Sequence, residues 1–328
     1  MLRVLYLAPD GHIVSDLGSD QYETALQETN NMLWVDFVGE PEKTCERIML
    51  EIFKFHPLAV EEALQEIHIP KVDEWDSYIY VALHSIALDK WEEGYIRSLE
   101  LDMFVGRNYL VTYHKEGIPE IDKIWGDSQI DERHLKKGSS NLLYRLADEL
   151  VAGYMQVTDK VEDDLEEIED QIFDNPSQQI LAQLFTLKRI LLHLRRIITP
   201  QRDVINNLSR NEYAVIDPQY RIFYRSVYDH LVRLTDIGES MRDLVSSALS
   251  SYLSVINNRM NDVMKTLTII TTLFIPISFL TGFFGMNFFQ PVFNSGVWTG
   301  AIAFLIVLSV VIALPAMMLI WIKKQRWM

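Results

Sequence analysis

The stretch from Asn258 to Phe288, NRMNDVMKTLTIITTLFIPISFLTGFFGMNF, has no Asp, Glu, Lys or Arg after Lys265. This absence of charge continues to Lys323. The uncharged segment between Lys265 and Lys323 contains two mainly apolar runs, Thr266–Phe284 and Val297–Ile322, of 19 and 26 residues. Because about 20 helical residues cross the hydrocarbon core of a bilayer, both runs are long enough to span a membrane.

Basic residues flank this uncharged region and predict its orientation. Lys323, Lys324 and Arg326 follow the second run, and Arg259 and Lys265 precede the first. The positive-inside rule places both groups in the cytoplasm. The prediction is therefore a multi-pass protein of the cell membrane with both termini cytoplasmic and with residues 287–296 facing outward. Met1–Leu7 is too short for the apolar part of a signal peptide.

The remaining composition excludes several functional classes. The 328 residues carry a net charge of −16, and since the basic tail contributes +3, residues 1–265 carry −19. Such acidity argues against nucleic acid as a partner. The single cysteine, Cys45, excludes an intrachain disulfide framework. No nucleophile–base constellation or His/Cys metal cluster is apparent, so an enzyme is not predicted and no cofactor is expected.

Residues 1–140 mix strand and helix patterns and predict a cytoplasmic α/β domain. The expected strands are Leu2–Leu7, Met32–Val38, Tyr78–Leu83, Leu101–Val105 and Tyr109–Tyr113, and the expected helices are Pro41–Phe55 and Pro57–Gln65.

From residue 141 onward only helices are predicted. Leu142–Phe173 and Gln178–Ile198 are separated by Asn175-Pro176, which predicts a helical hairpin over 141–216. A long helix follows, and if it runs unbroken from Pro218 to Gly285 it extends about 100 Å. Its cytoplasmic part is 217–265 and its first transmembrane part is 266–286. The outer connection 287–296, the second span 297–322 and the tail 323–328 complete an α+β membrane protein.

On a helical wheel the first span has one narrow face that is partly small or polar. That face covers an arc of about 80°, and the opposite side is apolar. Its members are Met264, Leu267, Thr271, Ile275, Ser278, Gly282 and Gly285. The pattern fits either a helix that lines a pore, which needs several copies around an axis, or a helix–helix contact that conducts nothing. Spacing alone does not decide between them.

The stretch 258–288 resembles the CorA family of divalent-cation channels through the triplet Gly285-Met286-Asn287 at the end of the first of two C-terminal spans. His56-Pro-Leu-Ala-Val-Glu-Glu62 and Leu110-Val-Thr-Tyr-His114 extend the resemblance more weakly into the N-terminal part. The resemblance implies a funnel-shaped homopentamer whose first spans line the pore and whose second spans surround them.

The resemblance also implies roles for individual residues. Asn287 becomes the selectivity filter, with Gly285 and Met286 shaping its turn. The matching pore-lining positions are Asn261, Met264, Leu267, Ile275, Ser278 and Gly282. All of these except Asn261 lie on the face of about 80° of the helical wheel, and that face also includes Thr271. Neutral amide oxygens suit hydrated Mg²⁺, which loses water reluctantly, and apolar rings at Met264 and Leu267 suit a gate that closes by dewetting.

The sequence departs from the family pattern in two regions. Of the acids that bind regulatory metal in members of the family, Glu62 remains, whereas Ser226 and Ser250 replace two others. Asp229 or Asp243 would have to substitute, so weak Mg²⁺ regulation is predicted. The outer loop also has no acid, and Phe284 stands where tyrosine is usual, which leaves ion capture to Asn287.

The predicted function is passive transport of Mg²⁺, and also Co²⁺ and Ni²⁺, down the electrochemical gradient. An alternative is a Zn²⁺ transporter of the same superfamily, with or without coupling to protons. A different class is a membrane-anchored metal sensor or scaffold whose spans only anchor it. The expected partners are the lipid bilayer, further copies of the chain and divalent cations.

Overall fold

The computed structural model describes residues 1–15, 17–28, 31–66, 69–88, 96–286 and 301–324. The chain divides into two compact units, Met1–Leu249 and Ser250–Met328.

The first unit is built on a seven-stranded mixed sheet in the order β2-β1-β3-β7-β6-β5-β4. β3 and β7 pair in parallel, and the other described pairs are antiparallel. The strands are β1 (Leu2–Leu7), β2 (Ile13–Ser15), β3 (Met32–Val38), β4 (Lys71–Glu74), β5 (Ile79–Ala87), β6 (Arg97–Val105) and β7 (Tyr109–His114). The predicted α/β domain is confirmed.

Short helices cover one face of the sheet. α1 (Tyr22–Gln27), α2 (Glu42–Arg47) and α3 (Pro57–Gln65) contribute to a buried cluster with β3, β6 and β7. Stacked aromatic rings lie at its centre, with the centroids of Phe55 and Phe104 4.3 Å apart. The helix predicted over Pro41–Phe55 ends earlier, because α2 passes into a π-helical turn at Ile48–Ile52.

The opposite face packs against α4 (Pro119–Ile130), α6 (Ser139–Asp174) and α7 (Gln178–Arg210), with the short α5 (Arg133–Lys136) between α4 and α6. α6 and α7 pack on each other as the predicted hairpin. The Ser177 hydroxyl caps α7 by accepting a hydrogen bond from the Ile180 N–H at 3.4 Å.

The predicted end of the second hairpin helix at Ile198 is wrong. α7 continues through Pro200 to Arg210. Proline inside a helix costs about 3 kcal/mol. The buried side chains that follow it, including Ile205 and Leu208, offset that cost by packing. A local breaker signal is thus overridden by tertiary contacts.

The long helix α8 runs from Arg221 to Gly285, directly after a 3₁₀ turn at Pro218–Tyr220. α9 (Ala301–Lys324) follows in the second unit. The described residues contain two helices that are long and apolar enough to cross a membrane, the end of α8 and Phe304–Lys324. The predicted outer connection 287–296, the first residues of the predicted second span, 297–300, and the tail beyond Lys324 lie outside the described residues.

Candidate functional site

α8 carries no charged side chain after Lys265, and several threonines in this segment bond to their own helix. The hydroxyls of Thr266, Thr268 and Thr271 donate to the carbonyls four residues earlier at 2.9, 2.8 and 2.7 Å. Such bonds give the hydroxyl a hydrogen-bond acceptor within its own helix, so threonine is tolerated in apolar surroundings. Pro276 lies inside the same segment, and membrane-spanning helices commonly accommodate proline.

The predicted pore face of α8 is open in this chain. Its residues, Asn261, Met264, Leu267, Thr271, Ile275, Ser278 and Gly282, are all exposed. Ile275 exposes 61 % of its surface, although an apolar side chain of this size is usually buried. A continuous exposed stripe of this kind is available to an aqueous pathway, lipid or another copy of the chain.

The opposite face of the same segment is half-buried. Its residues, Ile269, Leu273, Pro276, Ile277 and Leu280, repeat every three to four positions. On α9 the half-buried residues, Val307, Val311, Leu314, Pro315 and Met318, follow the same spacing. Two such stripes in one unit are the pattern of two helices that pack face to face. Phe284, which the wheel places on this side, is instead 41 % exposed.

α8 ends at the predicted filter triplet. Gly285 is its last residue, and the Met286 N–H donates to the Phe283 carbonyl at 3.4 Å. A side chain added at Gly282 or Gly285 would meet no atom of the described residues within 4 Å, so packing within the described part of the chain does not require glycine there. Asn287, the predicted selectivity residue, lies outside the described residues.

The predicted regulatory acid Glu62 is already ion-paired. It lies on α3, and its carboxylate accepts a hydrogen bond from the Lys71 ammonium on β4. Lys71 also lies 2.5 Å from Asp73. Both carboxylates are partly exposed, so a cation that bound here would have to compete with Lys71. Sequence reasoning missed this pairing, because nothing in the spacing of residues 62 and 71 indicates contact.

The second regulatory candidate, Asp229, is not brought to Glu62. It lies on α8 in an exposed ion pair with Arg225 at 3.4 Å. Ser226 and Ser250 are exposed on the same helix. Within the part of the chain that the structure describes, no group of three or more His, Cys, Asp or Glu side chains can hold a metal ion. The described residues of one chain therefore do not assemble the predicted sensor.

A buried ionic network, which sequence reasoning also missed, ties β1, β3 and β7 together. Asp36 accepts hydrogen bonds from Arg3 at 2.6 Å and from Thr112, and His114 Nε2 lies 3.2 Å from it. Burial raises the pKa of Asp36, but the hydrogen bond and charge of His114 and the charge of Arg3 outweigh burial and leave this pKa below its usual value. The network stabilises the sheet and lies in the first unit, whereas the candidate pathway lies in the second.

The pKa of a second buried acid, Asp102, is shifted in the opposite direction. Asp102 on β6 accepts a hydrogen bond from the Tyr80 hydroxyl at 2.5 Å, and its other oxygen has no hydrogen-bond partner among the described residues. Burial, together with the charge of Glu100, raises its pKa well above the usual value. Burial therefore favours the neutral form of Asp102 in the folded protein.

Comparison with known proteins gives a consistent picture. Residues 29–324 match the profile of a family described as CorA-like Mg²⁺ transporter protein. The Bacillus subtilis protein YfjQ, named only provisionally as a metal ion transporter, is 36% identical over 295 residues, which are 90% of this chain and 89% of YfjQ. The cobalt/magnesium transport protein CorA of Thermotoga maritima is 29% identical over 305 residues, which are 92% of this chain and 85% of that protein.

A solved structure matches the fold of the whole chain. The CorA magnesium transporter from Methanocaldococcus jannaschii superimposes with a TM-score of 0.83 and covers 100% of this chain and 99% of that chain. The two sequences are 19% identical, so this likeness concerns the fold.

Proposed function

The chain belongs to the CorA family of divalent metal ion transporters, and we propose that it is a passive channel for Mg²⁺, which also admits Co²⁺ and Ni²⁺. It is a membrane protein and not an enzyme. The observation that carries the proposal is the exposed face of α8 from Met264 to Gly282, which has no charged side chain and points away from the half-buried side of the helix.

The chemistry of this face suits a hydrated divalent cation. Mg²⁺ needs near-ideal octahedral coordination and gives up water reluctantly, so a pathway without carboxylates avoids trapping it. Asn287, with Gly285 and Met286 before it, would supply the neutral oxygens that select the ion at the outer end. The exposed side chains of Met264 and Leu267, one from each copy, would form apolar rings around the axis and a constriction that closes by losing water.

One copy of α8 cannot enclose a pathway, so the proposal includes a homopentamer in which the exposed faces surround an axis. The half-buried faces of α8 and α9 support an inner ring of first spans and an outer ring of second spans. Lys323 and Lys324 at the end of α9 favour a cytoplasmic C-terminus, and two crossings then leave the N-terminus on the same side. The membrane potential supplies about 2.3 kcal/mol per charge per 100 mV, and twice that for a divalent ion.

Regulation by cytoplasmic Mg²⁺ through Glu62 and Asp229 would be weak. Each carboxylate already has a basic partner, Lys71 or Arg225, and the described residues give the two acids no contact with each other.

Divalent-cation uptake into proteoliposomes tests the filter assignment. Asn287→Ala should lose most selective Mg²⁺ uptake, because the ring of amide oxygens is removed. Asn294→Ala is the matched control, since it removes an amide from the same outer connection. Full selective uptake by Asn287→Ala would overturn the assignment.

A further inference from the structure

Thr271 occupies a distinctive position on the exposed face of α8. It lies one helical turn from Leu267 on one side and one turn from Ile275 on the other, about 6 Å along the axis in each direction. Both neighbours are large apolar side chains, exposed by 57 % and 61 %. Thr271 is exposed as well, and it places a hydroxyl inside an otherwise apolar section of the face.

The hydroxyl proton of Thr271 is already committed. Oγ1 lies 2.7 Å from the Leu267 carbonyl, which can only accept, so Thr271 donates this hydrogen bond. A hydroxyl has one proton and two lone pairs, and only lone pairs remain for a partner outside the helix. The structure records no such bond for the Ser278 hydroxyl, although that residue and its neighbours are described.

We propose that Thr271 forms a ring of hydrogen-bond acceptors that selects hydrated cations within the apolar section of the pore. This inference rests on the proposed channel function and assigns Thr271 a role in that same pathway. Water molecules around a cation turn their oxygens to the ion and their protons outward, so the hydrated ion presents donors to the wall. Leu267 and Ile275 offer these donors no acceptor, whereas Thr271 does.

The Thr271 ring also affects how readily the pore holds water and whether it favours cations or anions. A continuous apolar section expels water, and acceptors between Leu267 and Ile275 divide it into shorter sections that hold water more readily. Water around an anion donates one of its two protons to the ion, so a hydrated anion presents fewer donors to an acceptor ring than a hydrated cation does. Thr271 therefore favours hydrated cations over anions without carrying a charge that would bind them tightly.

The competing explanation is that the bond merely hides a hydroxyl in apolar surroundings. Thr266 makes the same type of bond, to the Asp262 carbonyl at 2.9 Å, but it lies on the opposite side of the helical wheel. Thr266 is therefore a matched control. It shares the local bond with Thr271 and does not share its position on the exposed face.

Mg²⁺ uptake by the full-length protein in proteoliposomes tests the inference. Thr271→Val removes the hydroxyl at almost constant shape, and uptake should fall at least about fivefold, since one acceptor is lost per chain. Thr271→Ser and Thr266→Val should stay within about twofold of the wild type. Thr271→Ala carries the test if Thr271→Val does not assemble.

The outcomes separate this inference from the proposed function. Wild-type uptake in Thr271→Val, or equal losses in Thr271→Val and Thr271→Ser, would overturn the acceptor ring alone. Equal losses in Thr271→Val and Thr266→Val would assign the effect to the local helix bond and would also overturn it. A wild-type protein that moves no divalent cation would overturn the channel function, and the acceptor ring with it.

Discussion

Lys71 donates a hydrogen bond to the carboxylate of Glu62. The same ammonium lies 2.5 Å from Asp73, so two acids at the edge of the sheet share one lysine. Divalent cations bind best to carboxylates that have no competing cation. The local charge balance therefore weakens the one regulatory acid that the chain shares with the family pattern.

Lys71→Met should strengthen metal binding at this edge. The substitution leaves Glu62 and Asp73 without their cation, and the apparent Mg²⁺ affinity should rise by up to about fivefold, the scale of a partly exposed ion pair. Mg²⁺-dependent thermal stabilisation of the full-length protein measures it. Lys123→Met is the control, because Lys123 forms an ion pair with Glu149 elsewhere on the surface. An unchanged Mg²⁺ dependence in Lys71→Met would contradict the competition.

Glu62→Ala in the native background should change the Mg²⁺ dependence of flux by less than about twofold. Its carboxylate is already ion-paired with Lys71, so its removal takes little from a bound cation. Uptake at a series of internal Mg²⁺ concentrations checks this. Sharp closure by internal Mg²⁺ that Glu62→Ala abolishes would show that Glu62 is a strong sensor after all.

Asp36→Asn should destabilise the first unit by about 3 kcal/mol, because it leaves the Arg3 guanidinium and the His114 ring without their carboxylate partner. Asp122→Asn is the matched control. Asp122 also contacts Arg3, at 2.6 Å, but its side chain is 56% exposed, so less than about 1 kcal/mol is expected. Chemical unfolding of the full-length protein measures both. Equal losses in the two variants would contradict the role of burial.

The lowered pKa of Asp36 also predicts a pH dependence. A carboxyl with a depressed folded pKa contributes stability that is present above its unfolded pKa, about 3.9, and that is lost as the pH falls through the folded pKa. The stability difference between the wild type and Asp36→Asn should be constant above about pH 5 and should shrink below about pH 4. A difference that persists at pH 2 would contradict this.

Asp102→Asn should stabilise the protein at high pH, whereas Asp36→Asn should destabilise it there. The raised pKa of Asp102 means that its contribution to stability is present at low pH and is lost as the pH rises through the folded pKa. Asparagine keeps an acceptor for the Tyr80 hydroxyl and does not ionise. The variant should be more stable than the wild type at pH 8, with the gap closing toward pH 4. Lower stability of Asp102→Asn at pH 8 would contradict the assignment.

How far the sequence predicts this protein depends on which forces act locally. Long apolar runs and their absence of charge predicted both membrane-spanning helices, since burial in lipid is set by composition. The short strand β4, Lys71–Glu74, was missed, because an edge strand of charged residues shows no apolar alternation. The helix end at Ile198, before Pro200, was mispredicted, because the packing of Ile205 and Leu208 outweighs the local breaker.

The candidate site was predicted in part for similar reasons. Helical periodicity identified the face from Met264 to Gly282, and the structure leaves these positions exposed. The pairing of Glu62 with Lys71 and the bond from Thr271 to Leu267 depend on side-chain positions that spacing does not specify. Pore lining itself stays a prediction, because it is a property of several copies.

Orientation can be measured with single cysteines. Burial, with the charge of Glu40 adding, raises the pKa of the native Cys45 thiol to about 12, so it should react little. An impermeant maleimide applied to intact cells should label Ser295→Cys, between the two spans, and should not label Glu46→Cys in the first unit. The reverse pattern would contradict the proposed topology.

Uptake into proteoliposomes under a controlled membrane potential tests whether the protein passively transports hydrated Mg²⁺ along the exposed face of α8. With Mg²⁺, Co²⁺, Ni²⁺ and Zn²⁺ in competition, Mg²⁺ uptake should rise with an inside-negative potential and should not respond to a pH gradient. Zn²⁺ uptake that needs a pH gradient while Mg²⁺ stays outside would contradict it.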